Sequence, residues 1–435
     1  MTVIAVKPVT VALPTLGCKV NRCDSDALAR ALIERGYVIV PPDEPADVYI
    51  VNTCTVTHEA EVKSRKTLRR MLRINNDALL IVTGCYATLE QGELAAIDGV
   101  DAVVPISAQE TIPDLVMELR PPIAHAGVAM PLGLSASIER TRATVKVEDG
   151  CNLRCAFCAV TIARGNVRSR APREVVGELR GLVSAGIREI VLAGVRLDAY
   201  GKDQGTNLSE LLDVTRHLGI ARLRLSSLEP IGIDDHLVGS LAGHPALCHH
   251  FHICLQSGDD GVLRAMRRCY TTGRYRHIIA KLRAAMPDAA FTTDIIVGYP
   301  GETDEAFRHT VDFVREIGFI KLHIFKYSPR PSTAAASLPD QVSAVVKEER
   351  SRVLYALEQE LFRRYADSLV GKTVEVLVER TGPHGDGLTP HYLRVCADFP
   401  AETAGWIVPV RVFGVDGDCI SGEIIQTGLA FKKIE

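Results

Sequence analysis

The chain has 435 residues, enough for two or three domains with a sizeable core. Apolar residues make up 47%, charged residues 24%, and the net charge is −3, which excludes a disordered chain and gives no overall basic character. No run approaches the roughly 18 apolar residues of a membrane span, and Met1 to Lys7 lacks the features of a secretory leader, so a cytoplasmic protein without membrane partners is expected.

The first ~120 residues alternate apolar runs with helical patterns. Strands are predicted at Val9–Leu13, Val48–Val51 and Leu79–Val82, and helices at Asp24–Arg35, Glu59–Ile74 and Thr88–Ile97. This repeat implies βαβ units and a parallel sheet, an α/β domain over residues 1–120. A Pro- and Gly-containing linker follows from about Pro121 to Ser137. A second strand–helix series occupies residues 137–369, with strands predicted at Thr144–Val147, Glu189–Ala193, Arg222–Ser226, His252–Leu255, Ala290–Val297 and Ile320–Phe325. Six such units predict an open or partial (β/α)6 barrel, followed by a charged helix from about Val342 to Leu369. From Val370 to Glu435 the pattern becomes Val/Ile-rich alternation with glycine turns, a small β-barrel.

Six of the twelve cysteines fall into two sets. Cys151, Cys155 and Cys158 form a C-x3-C-x2-C loop directly after the first strand of the second series. Iron–sulfur clusters are normally held by four thiolates, so three in one loop leave one iron open to another ligand. A zinc site usually needs a fourth protein ligand, and none lies nearby in sequence. Cys18, Cys54 and Cys85 each follow a predicted strand by a few residues. In a parallel sheet such turns meet at the carboxyl edge, where ligands bind. Among the others, Cys23 reads as a helix cysteine, and Cys248, Cys254, Cys269, Cys396 and Cys419 as packing residues; clustered cytoplasmic cysteines point to metal or redox sites rather than disulfides. The thirteen histidines show no metal-like spacing.

Basic side chains are clustered locally. Lys63, Lys66, Arg70 and Arg73 share one face of a predicted helix. Arg164, Arg168, Arg170 and Arg173 follow the cysteine loop, and Arg264, Arg267, Arg268, Arg274 and Arg276 form a third group. Each alone reads as a solvated face; together they favour a polyanionic substrate.

Cys151-x3-Cys155-x2-Cys158 after a strand resembles the cluster loop of the radical S-adenosylmethionine superfamily. The wider chain resembles the methylthiotransferases through Thr15-Leu-Gly-Cys-Lys-Val-Asn21, Val51-Asn-Thr-Cys-Thr-Val-Thr57, Val82-Thr-Gly-Cys-Tyr-Ala87 and Glu148-Asp-Gly-Cys151. Arg164-Gly-Asn-Val-Arg-Ser-Arg170, Leu255-Gln-Ser-Gly258 and Asp294-Ile-Ile-Val-Gly-Tyr-Pro-Gly-Glu302 extend the match. The resemblance implies two [4Fe-4S] clusters, one held by Cys18, Cys54 and Cys85, the other by Cys151, Cys155 and Cys158. S-adenosylmethionine would bind the open iron of the latter and be cleaved to a 5′-deoxyadenosyl radical. The first two motifs look most like enzymes acting on threonylcarbamoyl-adenosine in tRNA, which implies methylthio transfer to C2 of that base next to the anticodon, at position 37. Gly387-x-Thr389-x-x-Tyr392-x-x-Val395 resembles a TRAM RNA-binding domain. An electron donor such as flavodoxin or ferredoxin and a sulfur source are then expected partners, with the tRNA anticodon loop as substrate.

At the barrel rim, Gly194, Ser226, Glu229, Gln256, Asp294 and Gly298 are candidate contacts for the cofactor, with helix or loop capping as the alternative for each. Lys63, Lys66, Arg70, Arg73, Arg168, Arg170, Thr389 and Tyr392 are candidate RNA contacts. Competing readings are methylthiolation of isopentenyl-adenosine or of a ribosomal-protein aspartate, and a non-catalytic iron–sulfur RNA-binding redox sensor. A valine and threonine at Val160-Thr161 replace the family's usual Ile-Pro, which affects loop stiffness more than ligation.

Overall fold

The computed structural model describes residues 7–122, 141–330 and 332–425. The predicted linker lies almost wholly outside these residues. The chain divides into two compact units, the first built on the N-terminal region with Gly150–Asn152 and Cys158–Asn166, the second on the remainder.

The first unit alternates β1 (Thr10–Ala12), α1 (Lys19–Glu34), β2 (Val38–Ile39), β3 (Val48–Thr53), α2 (His58–Ile74), β4 (Leu79–Gly84), α3 (Cys85–Leu89), α4 (Gln91–Ala95), β5 (Ala102–Val103) and α5 (Ile112–Leu119). The sheet is parallel, in the order β2-β1-β3-β4-β5. Every residue of β3 and β4 is buried, as an apolar strand covered on both faces requires. Alternate residues serve the two faces: Val48 and Ile50 pack with Leu28, Leu32 and Val116, whereas Tyr49 and Val51 pack with Leu68 and Met71. The predicted helix at Thr88–Ile97 is instead two short helices that meet at Glu90, whose φ −126° and ψ 50° are not helical. The first helix begins five residues earlier than its pattern suggested, with Cys18 at its N-cap.

The second unit opens with β6 (Arg142–Lys146), β7 (Glu148–Asp149) and, beyond the short α6 (Val160–Arg164) of the first unit, β8 (Arg168–Ser169). It continues through α7 (Pro172–Ser184), β9 (Glu189–Ala193), α8 (Leu208–Thr215), β10 (Arg222–Leu225), β11 (Ser227–Leu228), α9 (Asp235–Ala242) and β12 (His250–Ile253). α10 (Asp260–Ala265), α11 (Thr272–Ala285), β13 (Ala290–Val297), α12 (Asp304–Ile317), β14 (Lys321–Lys326) and α13 (Ala344–Asp367) complete it. The parallel strands run β6-β9-β10 and β11-β12-β13-β14. The third predicted strand ends at Leu225 and pairs with β9; beyond Ser226 the separate β11 pairs with β12. The result is the expected six-unit α/β half-barrel.

Period-2 alternation explains its two faces. Ile190, Leu192, Leu223, Leu225, Phe251, Ile253 and Phe291 join the apolar layer under the helices, each such burial contributing about 1.5–3 kcal/mol. The intervening residues Glu189, Arg224, His250, His252, Thr292 and Asp294 are polar and face one another. Arg224 Nε donates to Glu189 Oε1 at 3.0 Å, and Thr292 Oγ1 lies 3.0 Å from His252 Nδ1 and 3.1 Å from His250 Nε2.

Five further strands, β15 (Thr373–Arg380), β16 (Gly382–Leu388), β17 (Arg394–Phe399), β18 (Ile407–Asp416) and β19 (Cys419–Ile424), close a barrel in the order β15-β16-β17-β19-β18. Its core of Val376, Val395, Phe399, Val410 and Ile420 continues into Ala290 and Ile320 of the half-barrel. Arg224 fastens the two together, donating to Pro390 O at 2.9 Å and Thr389 O at 3.1 Å. Cys396 and Cys419, expected as separate packing residues, form a disulfide, because β17 and β19 are neighbours across a 23-residue separation.

Candidate active site

Cys18, Cys54 and Cys85 follow β1, β3 and β4, at the carboxyl edge of the first sheet. The strand order reverses between β1 and β3, so Cys18 and Cys54 flank the switch point where open α/β sheets bind ligands. Asn21, one turn into α1, gathers the set. Its Oδ1 lies 3.9 Å from both Cys18 Sγ and Cys85 Sγ, and its Nδ2 donates to Leu16 O at 2.9 Å and Thr53 O at 3.0 Å. Cys54 meets the same turn: a Cβ on Gly17 would stand 3.1 Å from both its Sγ and Asn21 Nδ2. Gly84 adopts φ +99°, and a Cβ there would lie 2.4 Å from Thr53 O, so only glycine lets β4 turn into Cys85.

A buried cation completes this crevice. Arg164 Nη2 donates to Asn21 Oδ1 at 2.6 Å and Asp24 Oδ2 at 2.9 Å, and the side chain is 1% exposed. Burial pushes the Cys54 thiol up and Cys85 up to about 12, with the Arg164 charge opposing both shifts. Thiols so placed ionise when a metal takes the proton's place. Two sulfurs on one amide oxygen, a third at the adjoining Gly17 turn and a buried cation on the same amide fit a cluster held by three cysteines. Arg164 thus corrects its assignment to a surface basic run.

Of the second set, Cys151 and Cys158 belong to the first unit and Cys155 to the second. Cys151 N donates to Gly165 O at 3.0 Å, and Ala156 N donates to Met266 O at 3.0 Å. Cys155 Sγ accepts a hydrogen bond from Arg268 Nη1 at 3.0 Å. Arg268, also expected at the surface, is 3% exposed in its side chain and forms an ion pair with Glu229. Burial pushes Cys155 up, opposed by Arg268, and raises Glu229 to about 7. A guanidinium aimed at Cys155 fits a thiolate bound to iron.

The remaining rim candidates divide. Gly194 N donates to Ser226 Oγ at 3.1 Å, so these two are together, beside Glu148. Sequence reasoning missed Glu148: Oε2 accepts from Arg196 N at 2.8 Å, while Oε1 is buried without a hydrogen-bond partner among the described residues. Burial raises it to about 8. An unpaired buried carboxylate oxygen fits an amino-group donor such as that of S-adenosylmethionine. Gln256 sits at φ +69°, an unusual conformation for a non-glycine residue, with its N–H on Asp294 O at 2.8 Å. Asp294 is engaged by His252 Nε2 at 3.2 Å and His323 Nδ1 at 3.1 Å, which hold its carboxyl below the usual range despite burial. His252, Cys254 and Asp294 therefore converge, a grouping their sequence spacing did not show. Gly298 N–H donates to Glu302 Oε2 at 2.6 Å, and the Lys347 side chain packs against it.

Lys63, Lys66, Arg70 and Arg73 are exposed on α2, and Arg168 is exposed after α6. Arg170 is partly buried and committed to Glu178 Oε2 at 2.7 Å and Lys146 O at 3.0 Å. Thr389 is corrected as an RNA contact. It is wholly buried, with Oγ1 accepting from Leu393 N at 3.1 Å. Tyr392 stacks on His250 at 5.2 Å and lies under Arg224 at 4.7 Å while remaining 37% exposed. Among the described residues, no helix is long and apolar enough to cross a membrane.

A C-x3-C-x2-C loop that follows the first strands of an α/β half-barrel, and a three-thiol crevice at the edge of a parallel sheet, are the two candidate cluster sites of a radical S-adenosylmethionine enzyme. A profile of the Radical SAM superfamily matches residues 145–314, and one of the Uncharacterized protein family UPF0004 matches residues 10–105. The threonylcarbamoyladenosine tRNA methylthiotransferase MtaB of Bacillus subtilis is 40% identical over 435 residues, 96% of each chain. That of Thermotoga maritima is 39% identical over 93% of this chain and 94% of its own. The chain belongs to the radical S-adenosylmethionine methylthiotransferases of the MtaB type, transferases that use two [4Fe-4S] clusters and S-adenosylmethionine. In fold it is similar to the radical S-adenosylmethionine methyltransferase TsrM of Kitasatospora setae, with TM-score 0.57 and 15% identity over 76% of this chain and 77% of that one.

Proposed function

We propose that this enzyme adds a methylthio group to C2 of N6-threonylcarbamoyladenosine at position 37 of tRNA. The observation that carries the reading is 40% identity along 96% of both chains to a protein named for that substrate. Carbon 2 of adenine is neither acidic nor nucleophilic, so its hydrogen yields to a radical rather than to acid–base chemistry. Cys151, Cys155 and Cys158 would hold one cluster, and Cys18, Cys54 and Cys85 the other. When bound, the clusters and S-adenosylmethionine supply the carbon radical and the methylated sulfur. Arg268 and Arg164 supply fixed positive charge beside the two thiol sets. Gly194, Ser226, Glu148 and Glu229 line the strand ends where the cofactor's polar groups would be oriented. The exposed basic face of α2 would engage the RNA backbone, and an unstacked anticodon-loop base suits entry into a protein cleft. A low-potential protein such as flavodoxin or ferredoxin would deliver electrons, a sulfur donor would replenish the N-terminal site, and the reaction would take place on cytoplasmic tRNA.

The test is mass spectrometry of nucleosides from tRNA of cells with and without the gene. Disappearance of 2-methylthio-threonylcarbamoyladenosine, with its unthiolated precursor accumulating, is expected. Selective loss of the isopentenyl nucleoside, or of a modified ribosomal-protein aspartate, would overturn the substrate assignment.

A further inference from the structure

Arg268 has three directed contacts and almost no solvent. Nη1 donates to Cys155 Sγ at 3.0 Å, Nε donates to Tyr270 Oη at 3.1 Å, and Nη2 pairs with Glu229. Tyr270 is itself fixed, its hydroxyl donating to Leu255 O at 2.8 Å, and the guanidinium lies 4.9 Å from its ring centroid. These contacts fix the guanidinium plane. Holding a salt bridge to Glu229 would not require the second arm to reach a sulfur.

We infer that Arg268 is a positioning residue that raises the reduction potential of the cluster held by Cys151, Cys155 and Cys158. Hydrogen bonds to ligand sulfurs are among the determinants of cluster potential. One-electron reduction adds negative charge to the iron–sulfur core, and a buried N–H donor bearing positive charge stabilises the reduced form more than the oxidised one. Glu229 offsets part of the long-range charge but cannot replace the directed hydrogen bond. The electron comes from an added low-potential reductant, the arginine stays protonated, and no covalent bond changes in this step. The inference rests on the family's cluster chemistry and not on the identity of the RNA, so it is read without RNA present.

The test is a potentiometric titration of the full chain, reconstituted with both clusters and reduced with titanium(III) citrate. Electron paramagnetic resonance follows the signal that changes on adding S-adenosylmethionine. At the potential where half the wild-type cluster is reduced, Arg268→Met should lower the reduced-to-oxidised ratio by about tenfold, a shift of about 59 mV for one electron. Arg268→Lys keeps the charge without the fork and should shift the same signal less. The other cluster's signal should stay where it is. A wild-type potential in the methionine variant with full iron content would overturn the inference, as would equal shifts of both signals. If the methionine variant fails to retain its cluster, the lysine variant decides: a smaller, selective shift supports the inference and an unchanged potential refutes it. Loss of the cluster in both variants would make the arginine a structural tie and refute it as well.

Discussion

Arg224 ties the half-barrel to the C-terminal barrel through two backbone carbonyls, and Arg224→Met should release that tie. The side chain is 1% exposed and makes four hydrogen bonds, to both Glu189 oxygens at 3.0 and 3.2 Å and to the carbonyls of Pro390 and Thr389 at 2.9 and 3.1 Å. Methionine fills much of the volume but leaves Glu189 wholly buried, with only Arg142 and Arg222 at 3.9 and 3.8 Å. Removing one partner of a buried pair costs about 3–5 kcal/mol; those residual cations place the expected loss near the lower figure, about 3 kcal/mol. Trp406, the single tryptophan, sits in the C-terminal barrel with the Arg188 guanidinium 3.8 Å from its ring centroid, and its fluorescence reports the transition during urea unfolding. Glu189→Leu added to Arg224→Met should recover most of the loss, because the unpaired charge then disappears. A single variant within about 1 kcal/mol of wild type, or a double variant worse than the single, would refute this account of how the barrels are joined.

Three other outcomes follow from the geometry. Replacing Cys18, Cys54 and Cys85 by alanine should remove about half the iron, abolish methylthio transfer and leave 5′-deoxyadenosine release intact; iron analysis and chromatography check both, and full iron retention would contradict the assignment. Glu148 and Glu229 are held up to about 8 and about 7 by burial, against 4.5 for an unperturbed glutamate, so the folded chain keeps protons that the unfolded chain releases. Stability of the cluster-free chain should therefore fall as pH rises from about 5 to 8, and Glu148→Gln should flatten the upper part of that loss in denaturation midpoints; an unchanged slope counts against it. Changing Lys63, Lys66, Arg70 and Arg73 to glutamine should weaken tRNA binding about tenfold at moderate salt and reduce its salt dependence. RNA-free 5′-deoxyadenosine release should be unaffected, and unchanged filter-binding affinity would remove α2 from the interface.

The cysteine sets were legible because sulfur ligation needs particular residues, and because strand-to-helix turns of a parallel sheet all open on one edge. The strands were legible because apolar runs and period-2 alternation survive in a single sequence. Arg164 and Arg268 were not. Each sits in a basic run, and local spacing does not reveal which member turns inward; partners distant in sequence, Asn21 and Asp24 for one and Cys155 and Glu229 for the other, help make burial of the charge tolerable. Glu148 was hidden for the same reason, since its partner Arg196 lies 48 positions away. Thr389 and Tyr392 matched an RNA-binding pattern, and local spacing did not show that the same turn also meets the half-barrel through Arg224 and His250. The disulfide joins strands whose adjacency depends on barrel closure.

The central claim is radical methylthio transfer to the threonylcarbamoyl-modified base, and reconstitution tests it most directly. The full chain, loaded with both clusters and reduced, would be given S-adenosylmethionine and tRNA carrying N6-threonylcarbamoyladenosine, and the digested RNA analysed by mass spectrometry. The account predicts the 2-methylthio nucleoside together with 5′-deoxyadenosine, both lost in Cys155→Ala. Release of 5′-deoxyadenosine with the base left unmodified, under conditions where tRNA carrying isopentenyl-adenosine is methylthiolated, would contradict it.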